Sequence, residues 1–204
     1  MRWFYLLARS VVWAAFSLAF SIQYEGRENI PQRRGGYILA GNHTSYLDPV
    51  VLVFPVRPWV RFLAKGELEK GFWGKRLFSA LGIVPIDRGS GDLSAIERCA
   101  ALTREGHVLG IFPEGTRYPQ EAPGKPKSGM ALIAKMTGAD VLPCAVRYQR
   151  PLRFRGRILV RYGRIIPASE LDLVGDDNPR ALRRCTKQVW GEILKLLEVP
   201  EDAG

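Results

Sequence analysis

Histidine, cysteine and the common nucleotide-binding signatures are scarce in this 204-residue chain. Its two histidines are His43 and His107, and its three cysteines, Cys99, Cys144 and Cys185, lie far apart with no CxxC pair. So few nitrogen and sulfur ligands argue against a zinc centre, and no metal is expected. An odd, scattered set of cysteines also argues against a secreted disulfide scaffold and for a reducing compartment. Neither G-x-x-x-x-G-K-[ST], G-x-G-x-x-G nor G-x-S-x-G occurs, which removes the readiest nucleotide-binding and serine-hydrolase readings. Acidic residues are short too: 20 Asp and Glu stand against 30 Lys and Arg, a formal charge of +10. No internal repeat or low-complexity linker interrupts the chain. With 47% hydrophobic and 25% charged residues, disorder and a polytopic membrane bundle fit poorly. The length suits one well-buried core.

The first feature present is an apolar stretch from Trp3 to Ile22, broken only by Arg9 and three serines. As a helix it would be about 30 Å long, enough to span, but with Arg9 inside the hydrocarbon. The uninterrupted part from Val11 reaches only about 18 Å. A monotopic helix dipping into one leaflet therefore fits better than a span, with Arg2 and Arg9 snorkelling and Trp3, Phe4, Tyr5 and Trp13 near the headgroups. A buried core helix and a signal peptide are the remaining readings. The latter fits poorly, because aromatic residues crowd the place of a basic leader and Gln23-Tyr24-Glu25 is no small-residue cleavage site. The expected division is a membrane-associated helix over 1–22 and a folded domain over 23–204.

Beyond Gln23, short apolar runs bounded by Gly, Pro and charge alternate with helical patterns, as in an α/β domain with a central, largely parallel sheet flanked by helices. Strands are expected at 36–40, 60–64, 83–86, 107–112, 141–147 and 157–162. Helices are expected at 72–81, 93–104, 128–137 and 178–197, with Gly106 and Gly138 as C-terminal caps and Pro179 in a first turn.

In such sheets ligands bind beyond the carboxyl ends of strands. The first end reads Gly41-Asn42-His43-Thr44-Ser45-Tyr46-Leu47-Asp48-Pro49. Five residues on a regular helix would turn His43 and Asp48 about 140° apart, so the two meet only across a turn. Asp48 before Pro49 is a standard helix start, and a simple cap is one reading of it. A carboxylate that orients a general-base histidine is the other. No enzyme nucleophile is evident, so a substrate hydroxyl is the simpler attacker. The rival base, His107, stands at a strand's beginning. Arg88 follows Ile83-Val84-Pro85-Ile86-Asp87, Arg117 follows Phe112-Pro113-Glu114-Gly115-Thr116, and Lys65 ends a third apolar run. Each cation alone reads as a solvated surface charge, but their repetition at successive strand ends suits a phosphate site.

Four blocks in order, N-H-T-S-Y-L-D, G-I-V-P-I-D-R-G, F-P-E-G-T-R and V-L-P-C-A-V, with A-K-G-E-L and K-S-G also in place, resemble the glycerophospholipid acyltransferases, above all the bacterial 1-acylglycerol-3-phosphate acyltransferases. The resemblance covers about half the chain, Ile38 to Val146. It implies that His43 is the general base and Asp48 its orienting partner, and that a lysophosphatidic acid hydroxyl attacks an acyl thioester to make phosphatidic acid. It assigns Arg88, Glu114, Gly115, Thr116 and Arg117, assisted by Lys65, to the acceptor's phosphate-glycerol site, and has Pro143 shape the acyl or acceptor side. It implies no tightly bound cofactor, with acyl-CoA or acyl-carrier protein as donor. Tyr118 and Met130 depart from the family's commoner Ser and Ala, which bears on the choice of acceptor: glycerol 3-phosphate, another lysophospholipid and a lyso-ornithine lipid are alternatives.

Arg147 to Arg164 contains seven arginines and no acid, and Arg180, Arg183, Arg184 and Lys187 load the last helix. That surface suits anionic lipid headgroups, a phosphorylated substrate, CoA or an acidic carrier protein. Tyr148, Phe154 and Tyr162 interleave with the arginines in a manner that also suits nucleic acid, so a non-catalytic basic membrane- or nucleic-acid-binding protein is the alternative class. The apolar N-terminus favours the membrane, and the expected location is the cytoplasmic face of the cell's inner membrane, monotopic or single-span.

Overall fold

The computed structural model describes residues 2–31, 36–57, 59–65, 83–86, 93–171, 173 and 179–198. Seven strands among them form one sheet: β1 (Ser21–Glu25), β2 (Tyr37–Gly41), β3 (Val60–Lys65), β4 (Ile83–Ile86), β5 (Val108–Ile111), β6 (Asp140–Tyr148) and β7 (Arg157–Tyr162), in the order β1-β7-β6-β2-β5-β3-β4. Strands β6, β2, β5, β3 and β4 are mutually parallel. β7 turns back antiparallel to β6, and β1 lies parallel to β7. The sheet is therefore mixed, with two strands at one side reversed.

Burial on both faces explains the unbroken apolar runs. All five residues of β2, Tyr-Ile-Leu-Ala-Gly, are buried, as central strands of a parallel sheet require. Alternate residues serve opposite faces. Ile38 and Ala40 join a core with α3 (Leu93–Arg104), α4 (Gly129–Thr137) and α5 (Pro179–Glu198), through residues such as Cys99, Met130, Ile133 and Ile193. Tyr37 and Leu39 join the other core with Val51 and Leu52 of α2 (Asp48–Val53) and with Ile158, Val160 and Tyr162. All three cysteines are buried and free, and burial raises the thiols of Cys99 and Cys185 to about 11.

Element boundaries match the expected ones within one or two residues, and Gly138 closes α4 in the left-handed region. The helix expected at 72–81 lies outside the described residues. The N-terminus departs from expectation. Helix α1 covers Arg2–Ala19, and Ser21 and Ile22, expected inside the apolar helix, begin β1 instead. The Ser21 N–H donates to the Gly156 carbonyl at 3.1 Å, and β1 continues in register along β7. An available strand edge outweighs the local helical pattern once the tertiary structure offers it. No helix among the described residues is long and apolar enough to cross a membrane.

One glycine couples the sheet to the ring stack at its carboxyl edge. A Cβ on Gly110 of β5 would stand 2.2–2.6 Å from the Phe62 ring, so only glycine lets that ring lie flat on β5. Phe62 stacks on Phe112, with centroids 5.5 Å apart and 16° between planes. Gly110→Ala is expected to destabilise the fold by about 2 kcal/mol through overpacking. Phe62→Leu in the same chain should recover most of that loss, because it removes the clashing ring. Urea unfolding of the single and double variants checks both; equal losses in the two would show that the clash does not set the cost.

Candidate active site

His43 leaves the end of β2 in an irregular turn that Asp48 organises. Pro49 stands in the first turn of α2, whose N-cap is Leu47, while the bonds of the Asp48 carboxylate go to residues outside its own helix. The N–H groups of Thr44 and Ser45 donate to Oδ2 at 2.7 and 2.8 Å, and His43 Nδ1 lies 2.8 Å from the same oxygen. The Tyr148 hydroxyl donates to Oδ1 at 2.6 Å. Asp48 is fully buried, and a buried carboxylate needs such donors in place of water. Surrounded by donors, it acts as acceptor, which puts the His43 proton on Nδ1 and leaves the Nε2 lone pair for another partner. The His43 side chain is 19% exposed.

Tyr148 is a component that motif spacing does not reveal, since it stands 100 residues from Asp48, at the end of β6. Burial first, and then the neighbouring Asp48 charge, push its phenol well above the ordinary value, so it stays protonated and donates. Its backbone is clasped by Gln120, whose amide accepts from the Tyr148 N–H and donates to the Tyr148 carbonyl, both at 2.9 Å. Asn42 treats Val146 the same way, at 2.8 and 3.0 Å. The two amides carry sheet-like pairing past the strand ends.

The second loop holds the backbone of His43 at two points. Glu114 Oε2 accepts from the His43 N–H at 2.6 Å, and the Tyr118 N–H donates to the His43 carbonyl at 2.8 Å. Glu114 Oε1 accepts from Gly124 N–H at 2.7 Å. Glu114, which the resemblance assigns to the acceptor's site, is thus 2% exposed and spans two backbone amides. Burial raises its carboxyl above the ordinary value, and those backbone bonds oppose the shift. Gly115 takes a φ of 72° in the tight turn after Glu114. The Lys127 ammonium would lie 3.1 Å from a Cβ there, which brings a cation over this turn that spacing alone does not identify. The His43 ring packs flat on Phe112, with centroids 4.2 Å apart and 12° between planes, extending the Phe62–Phe112 stack.

Thr116 and Arg117 are exposed on the same loop, and the Arg117 guanidinium lies 3.4 Å over the Tyr46 ring. This cation–π contact bridges the two loops. Lys65 is the last residue of β3, at the same sheet edge as His43. Arg88 lies outside the described residues. Pro143 sits within β6, opposite Ala40. His107 precedes β5 at the opposite edge, and burial, followed by Arg61, lowers it below the ordinary imidazole value. Among the described residues no group of three or more His, Cys, Asp or Glu could hold a metal ion.

Removing the Glu114 acceptor strands two N–H groups in a buried setting, each worth about 1–3 kcal/mol. Glu114→Ala is therefore expected to lower unfolding free energy by about 3 kcal/mol in urea titrations. A change under about 0.5 kcal/mol would show that Glu114 does not hold the loop.

Residues 21–147 match the acyltransferase family. The chain is 32% identical over 136 residues to a 1-acyl-sn-glycerol-3-phosphate acyltransferase of Bacillus subtilis, covering 66% of each chain. It is 31% identical over 188 residues to the enzyme of the same name in Streptococcus pneumoniae, covering 86% of this chain and 67% of that one. The alignments thus span about two thirds of these relatives. The crystal structure of the 1-acyl-sn-glycerophosphate acyltransferase PlsC from Thermotoga maritima superposes with a TM-score of 0.72 at 24% identity, over 94% of this chain and 78% of that one, and shows the shared fold. With its matched region running from β1 to the end of β6 and enclosing both loops of the site, this chain belongs to the acyltransferase family.

Proposed function

We propose that the chain transfers a fatty acyl group from a thioester, acyl-CoA or acyl-carrier protein, to the free hydroxyl of 1-acylglycerol 3-phosphate, producing phosphatidic acid. The observation that carries this reading is the His43 Nδ1–Asp48 bond at 2.8 Å, inside a carboxylate site that also receives two backbone N–H groups and Tyr148. The names of the relatives supply the acceptor.

In this mechanism the acceptor hydroxyl approaches His43 Nε2, which takes its proton as the oxygen attacks the thioester carbonyl. A C–O bond forms and the C–S bond breaks. The departing thiolate recovers the proton from the imidazolium. Asp48 fixes the tautomer and stabilises the transient positive charge. The acceptor carries the nucleophile, so a serine acyl-enzyme is unnecessary. Arg117, held over Tyr46, and Lys127 above Gly115 supply cations for the acceptor phosphate, with Lys65 and Arg88 as further candidates. In this reading helix α1 seats the chain monotopically in one leaflet, on the cytoplasmic face.

Thiol release from acyl-CoA or acyl-carrier protein, with and without lysophosphatidic acid, tests the reading. Acceptor-dependent release is expected, and His43→Ala should lower it by at least about 1,000-fold with the fold intact. Near-wild-type release in that variant would remove His43 as base. Tyr148→Phe keeps the ring and deletes one bond to Asp48, so kcat should fall about tenfold with KM for the acceptor unchanged. A rise in KM alone would mean that Tyr148 contacts the acceptor. Arg117→Ala should raise KM for the phosphorylated acceptor at least about tenfold and leave monoacylglycerol unaffected. An equal loss with both acceptors would end the phosphate assignment.

A further inference from the structure

The strand directions put three things on one edge. β2, β5 and β6 all run toward the edge where His43 and Glu114 stand. Because β7 is antiparallel to β6 and β1 parallel to β7, the β6–β7 loop, residues 149–156, and the start of β1 return to that edge. Helix α1 feeds into β1, so its last turn is there too. The loop is tied to it directly: the Arg155 N–H donates to the Ala19 carbonyl at 2.6 Å, and Ser21 N–H to Gly156 carbonyl at 3.1 Å.

The loop's side chains resemble those of no packed turn. Leu152 is 38% and Phe154 74% exposed, alternating with exposed Arg150, Arg153, Arg155 and Arg157. One carboxylate, Glu121, lies 3.4 Å from Arg150. On α1, Trp13 and Leu18 are exposed as well, at 51% and 68%. Phe16 packs on Phe54, and beside that contact a cavity of about 370 Å³ is lined by Trp13, Phe20, Ile22, Phe54 and Arg155. Exposed apolar side chains are common singly, but here two segments tied backbone to backbone both carry them, and those of the loop are flanked by arginines. Guanidinium groups around apolar tips match a surface with phosphates outside and hydrocarbon beneath.

We propose that the β6–β7 loop is a second membrane wedge. Leu152 and Phe154 enter the acyl region of an anionic leaflet beside α1, while Arg150, Arg153 and Arg157 engage the headgroup phosphates. The two attachments hold the His43 edge against the bilayer, so a lipid acceptor reaches the site without leaving the leaflet; this consequence rests on the acyltransferase reading above, whereas the wedge itself does not. Nucleic acid, the other polyanion that arginine and phenylalanine suit, has no use for the exposed apolar face of α1.

The test uses the full chain and vesicles of phosphatidylglycerol and phosphatidylcholine in equal parts, or of phosphatidylcholine alone. Phe154→Cys carrying an environment-sensitive nitrobenzoxadiazole dye reports insertion, since the three native thiols are buried. A blue shift with anionic vesicles supports the wedge. Binding without a blue shift overturns it, as does a shift with an oligonucleotide but not with vesicles. The pair Leu152→Ser/Phe154→Ser should lower partitioning onto anionic vesicles at least tenfold, and Arg150→Gln/Arg153→Gln/Arg157→Gln should abolish the preference over phosphatidylcholine. Turnover of a monomeric short-chain lysophosphatidic acid should stay unchanged in both variants. Loss of that turnover would place the loop in the site and overturn the wedge. If the wild-type chain turned over no acceptor while the dye still inserted, the acyltransferase reading would fail and the wedge would stand.

Discussion

A buried negative charge sets the terms for this site. Asp48 has no contact with solvent, and a carboxylate in that position is tolerable only if donors replace its water. Two donors are local, the N–H groups of Thr44 and Ser45, and dictate the turn between β2 and α2. The third is the His43 ring. The fourth, Tyr148, comes from the far end of β6 and ties the turn to the sheet. Orienting the imidazole and solvating the charge are thus one arrangement.

The same economy governs the second loop. A side chain that is to serve a site must be held within a fraction of an ångström. His43 is restrained at its N–H by Glu114, at its carbonyl by Tyr118, at Nδ1 by Asp48 and across its face by Phe112. Phe112 rests on Phe62, and Phe62 on the bare backbone of Gly110. A chain of contacts therefore runs from the absence of one Cβ in β5 to the histidine. Thr116 and Arg117 lie on that same loop, which sets their exposed side chains on a firmly held base.

Reversal of β1 and β7 has a consequence of its own. In a wholly parallel sheet the strand connections alternate between edges, and an N-terminal helix would enter far from the carboxyl ends. Here the two reversed strands bring the end of α1 and an arginine-rich loop to the edge that carries His43. The end of an apolar helix and the polar surroundings of His43 then share one side of a small domain.

Local patterning was enough for much of this. Apolar runs bounded by glycine and charge announced six of the seven strands and three of the described helices, because residues that must be buried on both faces of a sheet leave a trace in the sequence. The five-residue spacing of His43 and Asp48 required a turn, and four blocks in order pointed to the chemistry. What the sequence could not decide were outcomes of long-range pairing. Whether Asp48 caps a helix or faces a histidine depends on where its carboxylate finds donors, and one of these is 100 residues away. That Glu114, assigned by its motif to the acceptor's site, accepts from two backbone amides is visible only once the loops are folded. Ser21 and Ile22 read as the end of an apolar helix until β7, 136 residues later in register, offers an edge to pair with. Periodicity records which residues are buried; only the tertiary structure determines what they are buried against, since hydrogen-bond partners and strand neighbours are chosen across the chain and not along it.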